Sequence, residues 1–121
     1  MSVFVKFETP KELSDKAYTL AEMARDTGKI KKGTNEVTKI VERGEAAMII
    51  MAVDVNPPEI LAHMPALCKE RNIPFVYVPS KVELGKSIGL EKPTASIAIV
   101  DAGKGKALVE EIAKAVSALK N

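Results

Sequence analysis

The sequence predicts a three-layer α/β/α sandwich, on three observations. Three almost unbroken apolar runs, Ala46–Val53, Ile73–Val78 and Ala95–Val100, have the length and composition of strands buried on both faces. Around them lie segments whose apolar residues recur every three or four positions, which is helical spacing. The connections are short, without linker, repeat or low-complexity tract, so residues 1–121 form one domain. Alternation of this kind predicts a largely parallel central sheet with helices on both faces.

The first helix has Thr9 as its N-cap, Pro10 at N1 and Glu12 closing a capping box. Leu13, Ala17, Leu20, Ala21 and Ala24 form its inner face, and Gly28 stops it. Lys29–Lys32 reads as a short strand with Ile30 inward. A second helix begins behind Gly33, keeps Val37, Ile40 and Val41 on an apolar face, and ends at Gly44. Asn56-Pro57-Pro58-Glu59 repeats the start signal of cap, N1 proline and N3 acid, opening a third helix with Ile60, Met64 and Leu67 inward. Ser80-Lys81-Val82-Glu83 is another capping box, for a short helix ending between Gly85 and Ile88, and Gly89–Pro93 is a loop. Gly103-Lys104-Gly105-Lys106 lacks P-loop spacing and reads as a flexible lead-in to the last helix. Leu108, Val109, Ile112, Val116 and Leu119 outline that helix.

Composition excludes several classes of function. With 46% apolar and 28% charged residues the chain has the profile of a soluble globular domain. Its net charge of +2 means that any nucleic-acid surface is a local patch. Cys68 is the only cysteine, which rules out a disulfide framework or a thiolate zinc site within one chain; a buried core thiol is expected. Met1–Glu8 has no apolar signal region, and the longest apolar run is far short of a membrane span, so a cytoplasmic protein without a membrane partner is expected. There is no Trp, and Phe75 and Tyr77 fall within a strand, so bases are not recognised by stacking on aromatics. No catalytic constellation is present. His63, the only histidine, is expected to pack or cap. Asp54 and Asp101 follow buried strands, where acids bind metals in some α/β enzymes, but without a nucleotide loop turn or cap roles are expected. No enzyme, metal or cofactor is expected.

The chemistry concentrates between Lys29 and Arg43, where five basic residues meet two acidic ones. Glu36, Lys39 and Arg43 are three and four residues apart and share one helix face. Asn35 falls in the first turn, where backbone N–H groups are unpaired and the macrodipole is positive. Two readings stand side by side. In one, Gly33 is an N-cap, Glu36 is the N3 acid of a capping arrangement, and the lysines are a solvated face. In the other, the basic helix start receives RNA or DNA phosphates. Glu36 then needs base N–H donors, because phosphate repels a carboxylate; guanine and cytosine both offer them. Asn35, donor and acceptor together, is suited to a base edge.

Lys32-Gly33-Thr34-Asn35-Glu36-Val37-Thr38-Lys39 closely resembles the signature of the kink-turn-binding ribosomal protein family. The resemblance continues through Ile49–Ala52, Asn56–Leu61, Ile73–Val78, Ser80-Lys81 and Leu84-Gly85, nearly the whole chain, and is greatest to the family's archaeal members. It implies a central mixed sheet of about four strands, with Lys29–Lys32 the element that departs from parallel order. It also implies a non-catalytic, monomeric protein that binds kink-turns, sharply bent internal loops with tandem sheared G·A pairs and one extruded base. The implied RNAs are ribosomal RNA, guide RNAs of box C/D and H/ACA particles and ribonuclease P RNA, with other ribonucleoprotein subunits as further partners. By position, Asn35, Glu36 and Lys39 would contact the guanine edges, Gly33 would allow close backbone approach, Lys32 and Thr34 beside it would also bind RNA, and Arg43 would hold phosphate. Asn56, Ile60 and Lys81 would line the extruded-base pocket, and the loop Leu90-Glu91-Lys92 would cover it. Asn56 stands where some relatives carry an acid, and Lys92 where some eukaryotic relatives carry Arg. Two other readings remain: a structural ribosomal protein held by general phosphate contacts, and a small α/β enzyme using Asp54 or Asp101.

Overall fold

The computed structural model describes residues 9–55 and 61–120. Within them, helices α1 (Lys11–Thr27), α2 (Thr34–Glu42), α3 (Met64–Glu70), α4 (Lys81–Ser87) and α5 (Lys106–Lys120) alternate with strands β1 (Lys29–Lys32), β2 (Met48–Ala52), β3 (Phe75–Val78) and β4 (Ser96–Asp101). The strands lie in the order β1-β4-β2-β3. Helices α1, α4 and α5 pack together on one side of the sheet, and α2 packs with α3 on the other. The three layers are those expected. No helix among the described residues is long and apolar enough to cross a membrane.

The sheet is mixed and four-stranded, as the resemblance implies, and not largely parallel as element alternation predicts. The strand that departs from parallel order is β4 and not Lys29–Lys32, since β1 runs in the same direction as β2 and β3. β2 and β3 are parallel, while β4 is antiparallel to both β1 and β2. Element alternation misses this because the connection from β3 to β4 does not cross the sheet. It runs out along α4 and doubles back: the amide of Leu90 donates to the Gly85 carbonyl and that of Thr94 to the Lys81 carbonyl. β4 therefore starts beside the end of β2, with Ser96 opposite Met51. One edge of the sheet thus collects the ends of β1, β2 and β3 and the beginning of β4. Lys32 pairs there with Ile97, and Ala52 with Val78.

β2 and β3 are buried throughout, as their apolar runs require. α1 buries Leu13, Ala17, Leu20, Ala21 and Ala24 against the layer beneath. β1 buries little: Ile30 is half-buried and its three lysines are exposed, a composition that keeps the free edge from recruiting another strand. The buried core also contains Cys68.

Three local expectations are corrected, and a fourth falls outside the described residues. α1 begins one residue later than its sequence signal, with the Pro10 carbonyl accepting from Leu13 and Ser14; the Thr9 hydroxyl is buried and, among the described residues, bonds to nothing. The onset of a third helix at residues 56–60 lies outside the described residues; α3 starts at Met64, after a turn at residues 61–63. Gly103–Gly105 is a 3-10 turn docked on the end of α1 rather than a flexible lead-in. The Lys104 amide donates to the Thr27 hydroxyl at 2.9 Å, and Gly103 lies directly against Thr27. Leu119, expected on the inner face of α5, is exposed.

Candidate nucleic-acid interface

The start of α2 is set by a division of labour around Gly33. Gly33 has φ of +89°, a conformation that costs other residues a steric penalty, and nothing crowds the space where a Cβ would stand. Its carbonyl accepts the first helical bond from Val37, and its amide donates to the Ser96 carbonyl at 3.3 Å. The amide that a capping-box glutamate would bind is therefore committed to the sheet. Among the described residues the Glu36 carboxylate makes no hydrogen bond or ion pair, and the same holds for the side chains of Asn35 and Lys39. All three are exposed. The far end of α2 closes in a Schellman arrangement, with Gly44 donating to Val41 and Glu45 to Ile40. Val37, Ile40 and Val41 anchor the opposite face, so the polar face is presented on a rigid helix.

Two clefts flank this helix. Lys32, Glu36 and Leu90 line one of them with Ile30, Lys31 and Ile88. Thr34, Asn35 and Lys39 line the other with Thr38, Glu42 and His63. His63 neither packs in the core nor caps α3 with its side chain; its exposed ring bridges α3 to α2, with Nε2 at 2.9 Å from Thr38 Oγ1. The Thr38 hydroxyl also donates to the Thr34 carbonyl at 2.7 Å, which leaves its lone pairs available to a ring N–H of His63.

The second half of the site rests on α4. Ser80 caps that helix by accepting from the Glu83 amide at 3.1 Å, as its capping signal predicts. The Asp54 carboxylate, carried from the end of β2, accepts from the Lys81 amide at 2.9 Å. Tyr18 of α1, which the sequence reading did not single out, accepts from the Ser80 amide at 3.1 Å, and burial of its phenol raises its pKa above the ordinary value. Asp101 accepts from the Gly103 amide in a turn. The two aspartates thus hold backbone, and no group of three potential metal-ligating side chains exists among the described residues.

The loop Leu90-Glu91-Lys92 is fixed at both ends. Gly89 and Leu90 close α4 in a second Schellman arrangement, and Thr94 ties the loop's far end to Lys81. Between them the Lys92 carbonyl passes so close to Gly85 that a Cβ there would lie 2.2 Å from it. Leu90 is half-buried against the core, so its apolar side chain has a packing role of its own, while Glu91 and Lys92 are exposed. Lys32, Gly33, Thr34, Asn35, Glu36 and Lys39 are therefore gathered with Leu90 around the α2 start, and Lys81 is bonded to the base of the same loop. Arg43 stands apart at the other end of α2, 3.9 Å from Glu45 in an exposed pair. Asn56 and Ile60 lie outside the described residues.

An α/β/α sandwich with an amide, a carboxylate and an ammonium displayed on the first turns of a glycine-led helix defines a small recognition module. Residues 15–109 match the Ribosomal protein L7Ae/L30e/S12e/Gadd45 family, and the chain belongs to that family. The Giardia lamblia 15.5kD RNA binding protein has the same architecture, with a TM-score of 0.89 and 33% sequence identity over 97% of each chain. The chain is accordingly a non-enzymatic member of the family.

Proposed function

We propose that this protein binds RNA and recognises kink-turns, holding them in their bent form. The observation that carries the reading is the pairing of Asn35 and Glu36 at the start of α2. Both are exposed and uncommitted to other described residues, and the cap that would have used Glu36 is precluded by the Gly33–Ser96 bond. A carboxylate beside RNA requires N–H donors, and a sheared G·A pair leaves guanine N1–H free to donate. Glu36 accepts from that edge, Asn35 reads a neighbouring edge with its amide, and Lys39 donates to a guanine acceptor. Lys32, Gly33 and Thr34 bring backbone and charge close to the RNA. Lys81 and the loop Leu90-Glu91-Lys92, joined through Thr94 and Gly85, cover the extruded base together with Asn56 and Ile60. Arg43 holds phosphate. Free RNA samples bent and extended forms, and the protein binds the bent one.

The name of the Giardia protein and the family's ribosomal name support RNA as the ligand. Ribosomal RNA, box C/D and H/ACA guide RNAs and ribonuclease P RNA are the proposed carriers of the kink-turn, in a cytoplasmic setting. The test is a titration of the protein against a kink-turn RNA and against the same RNA with its G·A pairs changed to Watson–Crick pairs. Loss of tight binding on changing the pairs is expected. Equal binding to both would reduce the protein to a general phosphate binder.

A further inference from the structure

Arg25 lies in the last turns of α1, outside the signature and outside every residue given a role above. Its guanidinium reaches Gly89: a Cβ on that glycine would stand 3.3 Å from Arg25 Nη1. Gly89 joins Ile88 to Leu90, which are two lining residues of the cleft beside Glu36. Asp26 holds Nε and Nη2 of the same guanidinium at 2.8 and 3.2 Å, which orients the group while Nη1 is turned to the glycine. The cleft is lined by the apolar side chains of Ile30, Ile88 and Leu90, by Lys31 and Lys32 of β1 and by the Glu36 carboxylate. Arg25 is not a lining residue and lies behind Gly89, next to the cleft. A ribose-phosphate strand fits the part of this cleft away from Glu36, its sugars lying on the apolar surface and its phosphates near Lys31 and Arg25, while the Glu36 carboxylate stays with the base edges.

We propose that the cleft receives one strand of the RNA backbone next to the base-reading residues, with Arg25 and Lys31 as phosphate contacts. The proposal rests on the RNA-binding reading and extends the interface to α1 and the free edge of β1. An exposed ion pair such as Arg25–Asp26 is weak and exchanges partners readily, so Asp26 orients Arg25 without withholding it from a phosphate. Phosphate contacts position the RNA and carry no sequence information.

The test measures affinity for a kink-turn RNA across a salt series for the wild type, Arg25→Met, Arg25→Lys and Lys31→Met, with thermal melts as folding controls. Arg25→Met and Lys31→Met are each expected to lower the slope of log affinity against log salt by about one. Each should leave discrimination against the G·A-changed RNA intact, and Arg25→Lys should restore the slope. Slopes unchanged in both Met variants overturn the proposal. So does an Arg25→Met variant that loses discrimination at an unchanged slope, because Arg25 would then act only by supporting the loop at Gly89. If the wild type itself fails to discriminate the two RNAs, the kink-turn reading fails, while the slopes still report whether the cleft holds phosphate.

Discussion

At the scale of single residues, the interface is defined by what is left uncommitted. Glu36 at the third position of α2 gains from the helix dipole, which is worth about 0.3–1 kcal/mol at an exposed site. A lost base-edge contact is larger, about 1–3 kcal/mol. Asn35→Ala and Glu36→Ala should therefore each weaken kink-turn binding by about 1–3 kcal/mol while lowering the melting temperature little. A melt that falls while RNA affinity holds would make Glu36 a helix-start residue and nothing more. Lys39 and Arg43 separate base reading from charge. Lys39, on the cleft with Asn35, should on mutation to Ala reduce affinity with little change in salt slope. Arg43, a turn further on and exposed beside Glu45, should on mutation to Ala lower the slope by about one. Equal slope changes for the two would turn the face into a generic basic patch.

At the scale of elements, two glycine-closed helices aim the site, and Gly85 decides how the loop lies. A Cβ at Gly85 would meet the Lys92 carbonyl at 2.2 Å, and the obstacle is backbone rather than a flexible side chain. Gly85→Ala should cost about 1–3 kcal/mol, in the range of overpacked cores. Amide exchange should quicken at Leu90 and Thr94, whose bonds close the loop on α4. Wild-type exchange at both amides would show that the loop is held by something other than this contact. This element also shows where the sequence was legible. Ser80 and Glu83 announced the start of α4, and the apolar runs announced β2, β3 and β4, because caps and burial are written in local residue types. The doubling back of the chain was not legible, since it depends on Thr94 meeting Lys81 and Lys92 meeting Gly85 in space. Tyr18 and Arg25 escaped notice for the same reason: each lies within the pattern of α1 but acts on residues more than sixty positions away. The role of Glu36 is not legible locally because it turns on the Gly33 amide bonding to Ser96, a contact between residues far apart in the chain.

At the scale of the whole molecule, the reversed β4 brings the two halves of the site together. Because β4 starts where β1, β2 and β3 end, the α2 start, the α4 start and the Leu90 loop share one edge of the sheet. On the proposed kink-turn reading this arrangement meets both sides of the bend, so the loop should matter for capturing the bent RNA as well as for affinity. Leu90 is half-buried against the core, so Leu90→Ala carries both a stability cost and a binding cost, and a melt must accompany the binding measurement. In the folded variant the off-rate should rise, since an apolar contact made after docking is lost. Replacing Leu90-Glu91-Lys92 by Gly-Ser-Gly removes the apolar anchor and both charges while the bonds at Thr94 and Gly85 remain available to the backbone. The measurement is donor–acceptor energy transfer across an end-labelled kink-turn at low magnesium during protein titration. With the native loop, transfer should rise to a plateau as the bent form is captured. With the replacement, the rise should require more protein, and plain duplex should compete better. Should the replacement reach the same plateau at the same protein concentration, the loop is only a turn, and recognition rests on the Asn35 helix alone.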